Sequence, residues 1–229
     1  MIELKEVSHW FGDRHVLKCI TLTLTERRIG IVGSNGSGKT TLARLLNGLV
    51  IPTEGHVIVD GMNTRQVAKA VRKRVGFVFQ NPDNQIVFPT VEEDLAFGLK
   101  NLRLPTHEIQ HRVDWVLEQY GLTEHRYHSA HLLSGGQKQL LAIAAVVIMQ
   151  PTYIVFDEPT TLLDLRNRNR IRTVLHELTQ PIVVVSHDLE LLSDFDRILV
   201  FDDGAVVLDD CPSTALPYYV KLMSAPASY

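Results

Sequence analysis

The sequence predicts an α/β fold in which a mainly parallel sheet is covered by helices on both faces, and three observations carry that expectation. Short apolar runs at 29–32, 75–79, 153–156, 182–185 and 198–201 alternate with stretches of helical spacing. Runs such as YIVF and IVVV leave no polar face, as strands buried on both sides require. At the opening the pattern changes. Ile2 and Leu4, then Ile20, Leu22 and Leu24, alternate with Glu and Thr in period two and predict a small antiparallel sheet beside the core.

Between about Asn81 and His131 the strand-like runs stop. VEEDLAFGLKNL and THEIQHRVDWVLEQYGL have helical spacing and are punctuated by Pro89, Pro105 and Gly121. Residues 81–131 are therefore expected to form a helical subdomain inserted in a single domain spanning 1–229. The stretch from Pro212 to Tyr229 adds one helix at most, and no internal repeat or low-complexity linker is visible.

A chain of 229 residues can bury one sizeable core, and 45% hydrophobic with 21% charged residues is an ordinary globular composition. The formal net charge of -3 provides no general attraction to nucleic acid. Two cysteines, Cys19 and Cys211, argue against a disulfide framework and fit a reducing compartment. The opening MIELKEVSHW lacks the apolar core of an export signal. The longest apolar run, Leu140 to Met149, is too short for a bilayer, which needs about 20 helical residues. Membrane attachment would therefore require a partner.

The segment Gly33, Ser34, Asn35, Gly36, Ser37, Gly38, Lys39, Thr40, Thr41 matches the phosphate-loop pattern G-x-x-x-x-G-K-[ST], directly after the strand-like IGIV and before the helix-like TLARLLNGL. Its glycines let backbone N–H groups and a helix N-terminus face phosphates. Lys39 can reach the β- and γ-phosphates of ATP, and Thr40 can ligate Mg2+. Read blandly, the segment is a glycine-rich turn with a lysine, but strand, loop and helix in order favour a nucleotide site. Downstream, YIVF ends in Asp157, Glu158 and Pro159. Alternation at a strand end should separate the two carboxylates: Asp157 toward magnesium, Glu158 as base for the attacking water.

At Leu133-Ser134-Gly135-Gly136-Gln137 the chain resembles the ABC ATPases, whose signature has this sequence ahead of the acidic strand. The resemblance, running from Ile2 to about Asp210, implies a phosphate-loop NTPase core with a small antiparallel β subdomain and an inserted α-helical subdomain. It also implies a head-to-tail dimer, here a homodimer, in which Ser134, Gly135, Gly136 and Gln137 of one subunit complete the γ-phosphate site of the other. A helix opening at about Gly135 would aim partial positive charge at phosphate. By the same resemblance, Gln80 contacts magnesium and water, His187 contacts the γ-phosphate, Phe11 stacks on adenine and Asp164 belongs to the loop at the dimer seam. Trp10 is the alternative ring for adenine. Two positions depart from the family pattern: Leu162 stands where a small residue is usual, so crowding there could alter dimer closure, and Leu140 replaces a frequent arginine.

Phe79-Gln80-Asn81-Pro82-Asp83-Asn84-Gln85, followed by Thr90 to Gly98, resembles the ATPases of energy-coupling-factor importers. That resemblance implies a groove for coupling helices of a membrane scaffold protein, which holds a substrate-binding membrane protein, and a peripheral place on the cytoplasmic face of the cell membrane. The expected cargo is a vitamin or transition-metal ion. Biotin comes first, then cobalt or nickel, because the short tail resembles dedicated single-ATPase systems. A soluble ABC ATPase of iron-sulfur assembly is the alternative; DNA-repair and translation types are disfavoured by the missing coiled-coil arms and the single cassette.

Three further patterns are tempting. His107-Glu108-Ile109-Gln110-His111 matches H-E-x-x-H but lacks a recognisable third ligand, so solvated helix histidines are expected. His125, His128 and His131 are read as loop residues. Arg166, Arg168, Arg170 and Arg172 cannot share one helix face at alternate positions and are expected on a solvated surface, with no nucleic acid as partner.

Overall fold

The computed structural model describes residues 1–224, so residues 225–229 of the expected C-terminal stretch lie outside the described residues. Strands β1 (Ile2–Phe11) and β2 (Arg14–Leu24) form a hairpin, and β3 (Arg28–Gly33) leads into α1 (Lys39–Leu46). Next come β4 (Glu54–Val59), β5 (Met62–Asn63), α2 (Thr64–Arg74) and β6 (Val75–Val78). Helices α3 (Val91–Asn101), α4 (Thr106–Gln119) and α5 (Gly135–Val147) follow with no named strand among them. The remaining elements are β7 (Tyr153–Asp157), α6 (Leu165–Glu177), β8 (Ile182–Val185), α7 (Leu189–Leu192), β9 (Arg197–Asp202), β10 (Ala205–Asp210) and α8 (Pro212–Ser224).

The chain divides into two compact units. One holds Met1–Phe77, Thr152–Glu158 and the segment from Thr179 onward; the other holds Val78–Pro151 and Pro159–Leu178. The first unit is built on a six-stranded sheet in the order β10-β9-β3-β8-β7-β6. Strand β3 pairs in parallel with both β8 and β9, and β7 continues the parallel set beside β8. These are the wholly apolar runs of the sequence, and nearly every residue in them is buried. Strand β10 closes the edge antiparallel to β9. The predicted antiparallel sheet is present in the order β2-β1-β4-β5, with β4 and β5 added to the two runs the sequence marks.

The second unit is helical. Thr90 and Glu93 form a reciprocal capping box at the start of α3, and Glu92, Glu93 and Asp94 complement the positive end of its dipole. Asp94 is buried and accepts hydrogen bonds from the backbone N–H groups of Val87 and Phe88 at 2.8 and 3.0 Å. Arg126 bridges Glu92 at 2.8 Å and Asp114 at 2.6 Å, tying α3 to α4. Leu140, Leu141 and Ile143 bury the apolar face of α5.

Of the arginines of α6, Arg166 and Arg170 are exposed as expected, and Arg168 and Arg172 are partly covered. Arg170 donates to the carbonyl of Tyr120 at 2.6 Å, and the Nε of Arg168 is buried. Histidines 107 and 111 are both exposed on α4.

Phe156 is fully buried in β7, the strand that ends at the carboxylates and pairs with β8. Phe156→Ala should lower unfolding stability by about 3–5 kcal/mol, since the close-packed sheet cannot collapse into the cavity. Urea unfolding of both proteins measures this, and a loss under about 1 kcal/mol would contradict the packing described.

Candidate nucleotide site

Between β3 and α1 the chain turns sharply. The carbonyl of Ser34 accepts from the N–H of Ser37 at 3.2 Å, and Gly38 takes φ of 102° as the residue capping α1. A Cβ at Gly38 would approach Leu17 Cδ2 to 2.7 Å and the Val16 carbonyl oxygen to 2.8 Å, so β2 leaves no room for a side chain there. Lys39 is 6% exposed, and its Nζ donates to the carbonyls of Gly33 and Ser34, each at 2.8 Å. Its charge thus lies under the loop. Burial lowers its pKa, against the pull of Glu158 and Asp157. Ser37 Oγ is buried and finds no hydrogen-bond partner among the described residues, a donor left for a ligand. Asn35 and Gly36 form the exposed rim, and Arg14 donates to the Gly36 carbonyl at 3.2 Å.

Thr40 Oγ1 donates to Asp157 Oδ1 at 2.9 Å, bringing the loop and the end of β7 together. Burial raises the pKa of Asp157, while the Thr40 bond and the charges of Arg44 and Lys39 lower it. A hydroxyl and a carboxylate side by side are hard oxygen donors of the kind Mg2+ takes, so this pair fits the ion. Glu158 lies one residue beyond the strand and adopts φ of 52°, a left-handed backbone. The two carboxylates have different partners, Thr40 for Asp157 and His187 for Glu158. Glu158 Oε2 accepts from the backbone N–H of His187 at 3.3 Å, and its Oε1 lies 3.2 Å from His187 Nε2. His187 follows β8, which carries it beside β7. The first unit therefore gathers Lys39, Thr40, Asp157, Glu158 and His187.

Phe11 ends β1 opposite Arg14, the residue that reaches Gly36. Its ring is 54% exposed and meets His9 edge-on. One face of Trp10 is instead stacked on His15 at 3.9 Å, which leaves Phe11 the freer ring for a base.

The remaining expected site residues lie in the second unit. Gln80 is exposed just after β6. Ser134 caps α5: Gln137 N–H donates to Ser134 Oγ at 3.4 Å, and Ser134 N–H donates to Gln137 Oε1 at 2.9 Å. Signature and helix cap are thus one structure, and the Ser134 hydroxyl proton stays available to a further acceptor. A Cβ on Gly136 would collide with the carboxamide of Asn167, so α5 and α6 meet closely there. Asp164 caps α6, accepting from Asn167 N–H at 2.8 Å. Leu162 is 71% exposed.

Sequence reasoning missed three contacts. Gln137 Nε2 lies 2.7 Å from His125 Nε2, placing a residue read as plain loop against the signature. Arg14 braces the phosphate loop, and Tyr219 Oη lies 3.2 Å from His187 Nδ1. Residue spacing carries no signal for any of them.

Comparison with known proteins agrees with this geometry. The family model described as "ABC transporter" matches residues 17–161. A putative ABC transporter ATP-binding protein of Deinococcus radiodurans is 62% identical over 226 residues, covering 99% of this chain and all of the relative. The biotin transport ATP-binding protein BioM of Rhizobium etli is 44% identical, covering 96% and 98%. An energy-coupling factor transporter ATP-binding protein, EcfA, of Methanosarcina acetivorans is 46% identical, covering 94% and 80%. Among solved structures, CbiO1 of Clostridium perfringens, described as part of the ABC transporter complex CbiONQ, superposes with a TM-score of 0.84 at 32% identity, covering 97% of this chain and 93% of that one. With a phosphate loop, a paired Thr40 and Asp157 and a capped signature all within this match, the chain belongs to the ABC transporter family as an ATP-hydrolysing, ATP-binding cassette.

Proposed function

We propose that this cassette powers an energy-coupling-factor importer, docked on the cytoplasmic face of the cell membrane through a scaffold protein, with biotin as first candidate cargo and cobalt or nickel next. The observation that carries this reading is a braced turn beside an exposed apolar patch in the second unit. Gln85 Oε1 accepts from Phe79 N–H at 3.2 Å, and Gln85 Nε2 donates to the Ala142 carbonyl at 2.7 Å. Lys138 holds Asp83 at 2.7 Å. Beside this fixed turn, Val87 is 68% and Phe97 43% exposed, and the Phe97 ring packs on Phe88 at 4.7 Å. An apolar surface on a rigid support suits an apolar helix of a membrane partner. No helix among the described residues is long and apolar enough to cross a membrane, so the scaffold would supply the attachment. Relatives named for biotin transport and energy coupling support importer over iron-sulfur assembly.

In the proposed cycle, two copies join head to tail, because phosphate loop and signature are each half of a site. The loop amides, Ser37 and Lys39 bind the phosphates, and Phe11 stacks on adenine. Thr40, Asp157 and Gln80 would hold Mg2+, which when bound neutralises charge on the β- and γ-phosphates. Ser134, Gly135, Gly136 and Gln137 of the second copy bind the γ-phosphate, with Asp164 at the seam. Glu158 accepts the proton of the attacking water, and His187 donates a hydrogen bond to the γ-phosphate.

Three outcomes test these assignments. Lys39→Ala should weaken Mg-ATP binding about ten- to a hundredfold, the worth of hydrogen bonds from a charged donor, as titration calorimetry would record. Glu158→Gln should keep that affinity yet slow single-turnover hydrolysis about 10² to 10⁴-fold, and hydrolysis at the parent rate would remove Glu158 as base. Val87→Asp and Phe97→Asp should retain the ATPase of the isolated cassette while losing co-purification with the membrane scaffold and uptake of the cargo. Undisturbed uptake in both would remove the importer reading and leave the family assignment standing.

A further inference from the structure

The C-terminal helix α8 buries only Ala215 and Tyr219, four residues apart on one face. The rest of the helix is far less committed: Tyr218, Val220 and Met223 are all exposed. Tyr219 is packed against the nucleotide end of the first unit, where its Oη lies 3.2 Å from Nδ1 of His187. The opposite nitrogen of that ring, Nε2, lies 3.2 Å from Oε1 of Glu158. Three side chains far apart in the sequence thus form one chain of polar contacts ending at the carboxylate beside Asp157.

One tautomer of the neutral ring fits both contacts. Nε2 approaches Oε1 to 3.2 Å without the angle of a hydrogen bond, but an N–H there is favoured over a lone pair, because two lone pairs would repel. In the neutral ring the other nitrogen then holds a lone pair. Tyr219 O–H is therefore the donor and Nδ1 the acceptor.

We propose that Tyr219 is a positioning residue for ATP hydrolysis, its hydroxyl fixing the His187 ring with the proton on Nε2 and that N–H aimed at the Glu158 side of the site. The inference rests on the reading of His187 as the γ-phosphate contact, which needs a donating N–H in that place. Without the Tyr219 bond the half-exposed ring is free to rotate or to exchange tautomers, and only a fraction of molecules would present the donor when phosphate arrives.

The test uses the full chain with and without Tyr219→Phe, which keeps the buried ring. In histidine labelled with 15N, the Nδ1 resonance of His187, assigned by its disappearance in His187→Gln, should stand at the position of a hydrogen-bonded acceptor. In Tyr219→Phe it should move to that of an unbonded acceptor, a change that loss of packing alone does not produce. At saturating Mg-ATP the same variant should lose about fivefold in kcat, the factor an ordinary hydrogen bond is worth, with KM within about twofold. Tyr218→Phe, on the exposed side of the helix, should match the parent. If Tyr219→Phe proves unstable, Tyr219→Leu gives the same two readouts. An Nδ1 that carries the proton in the parent, or an unchanged resonance and unchanged kcat in the variant, overturns the proposal. The premise is separable: His187→Ala turning over at the parent rate would sink the reading of His187, whereas loss in His187→Ala with none in Tyr219→Phe would sink the role of Tyr219 alone.

Discussion

Burial of Lys39, Asp157 and Glu158 at one end of the six-stranded sheet is the constraint around which the first unit is arranged. Taking an ion out of water costs several kcal/mol even after the surroundings relax, and opposite charge returns that only with good geometry and further hydrogen bonds. Here the carbonyls of Gly33 and Ser34 receive Lys39, and Thr40 holds Asp157. The compensation is incomplete. Burial displaces the lysine downward and Asp157 upward in pKa, each toward its neutral form. Such a cluster contributes little to stability, but it offers a polyphosphate positive charge already stripped of water, where each interaction is stronger.

Two left-handed residues stand at the same place. Gly38 and Glu158 both take left-handed φ, and they stand where β3 and β7 give way to their loops. For glycine this is nearly free; for glutamate it costs about 1–2 kcal/mol. Six other non-glycine residues take a similar φ, so it is the contacts of Glu158 with His187, and not the strain alone, that mark its side chain. The hydrogen bond from His187 N–H to Glu158 helps hold that turn, which makes the two loops mutually dependent.

How far the sequence could be read depended on whether a feature is written locally. The parallel strands were plain because burial on both faces removes polar residues from a run, and the bounds of β8 match the apolar run itself. Strands β5 and β10 were invisible for the opposite reason: one has two residues, and the other is mostly unburied, so neither shows a pattern. The phosphate loop and the signature are contiguous, and their residues stand together in the structure as loop rim and helix cap. Arg170 illustrates the limit. Alternate arginines read as solvated charge, yet one of them is spent on the carbonyl of Tyr120, a contact 50 residues away along the chain.

In the chain from Glu158 through His187 to Tyr219 the first two residues were legible from motif and resemblance, but their contact and the place of Tyr219 were not, its members being separated by 29 and then 32 residues. Each residue alone has an ordinary reading: an acidic turn, a histidine after a strand, a tyrosine on an amphipathic helix. Their conjunction exists only because β7 and β8 are neighbours and because α8 packs against β9 and β10. The helix contributes few buried side chains, so its hold on the unit is light, and one of the two it does bury touches the histidine. A weakly docked element that contacts a reactive group through one hydroxyl can alter that group without altering the core. In this cassette the sheet fixes where the carboxylates stand, while the state of the histidine beside them is left to a helix at the far end of the chain.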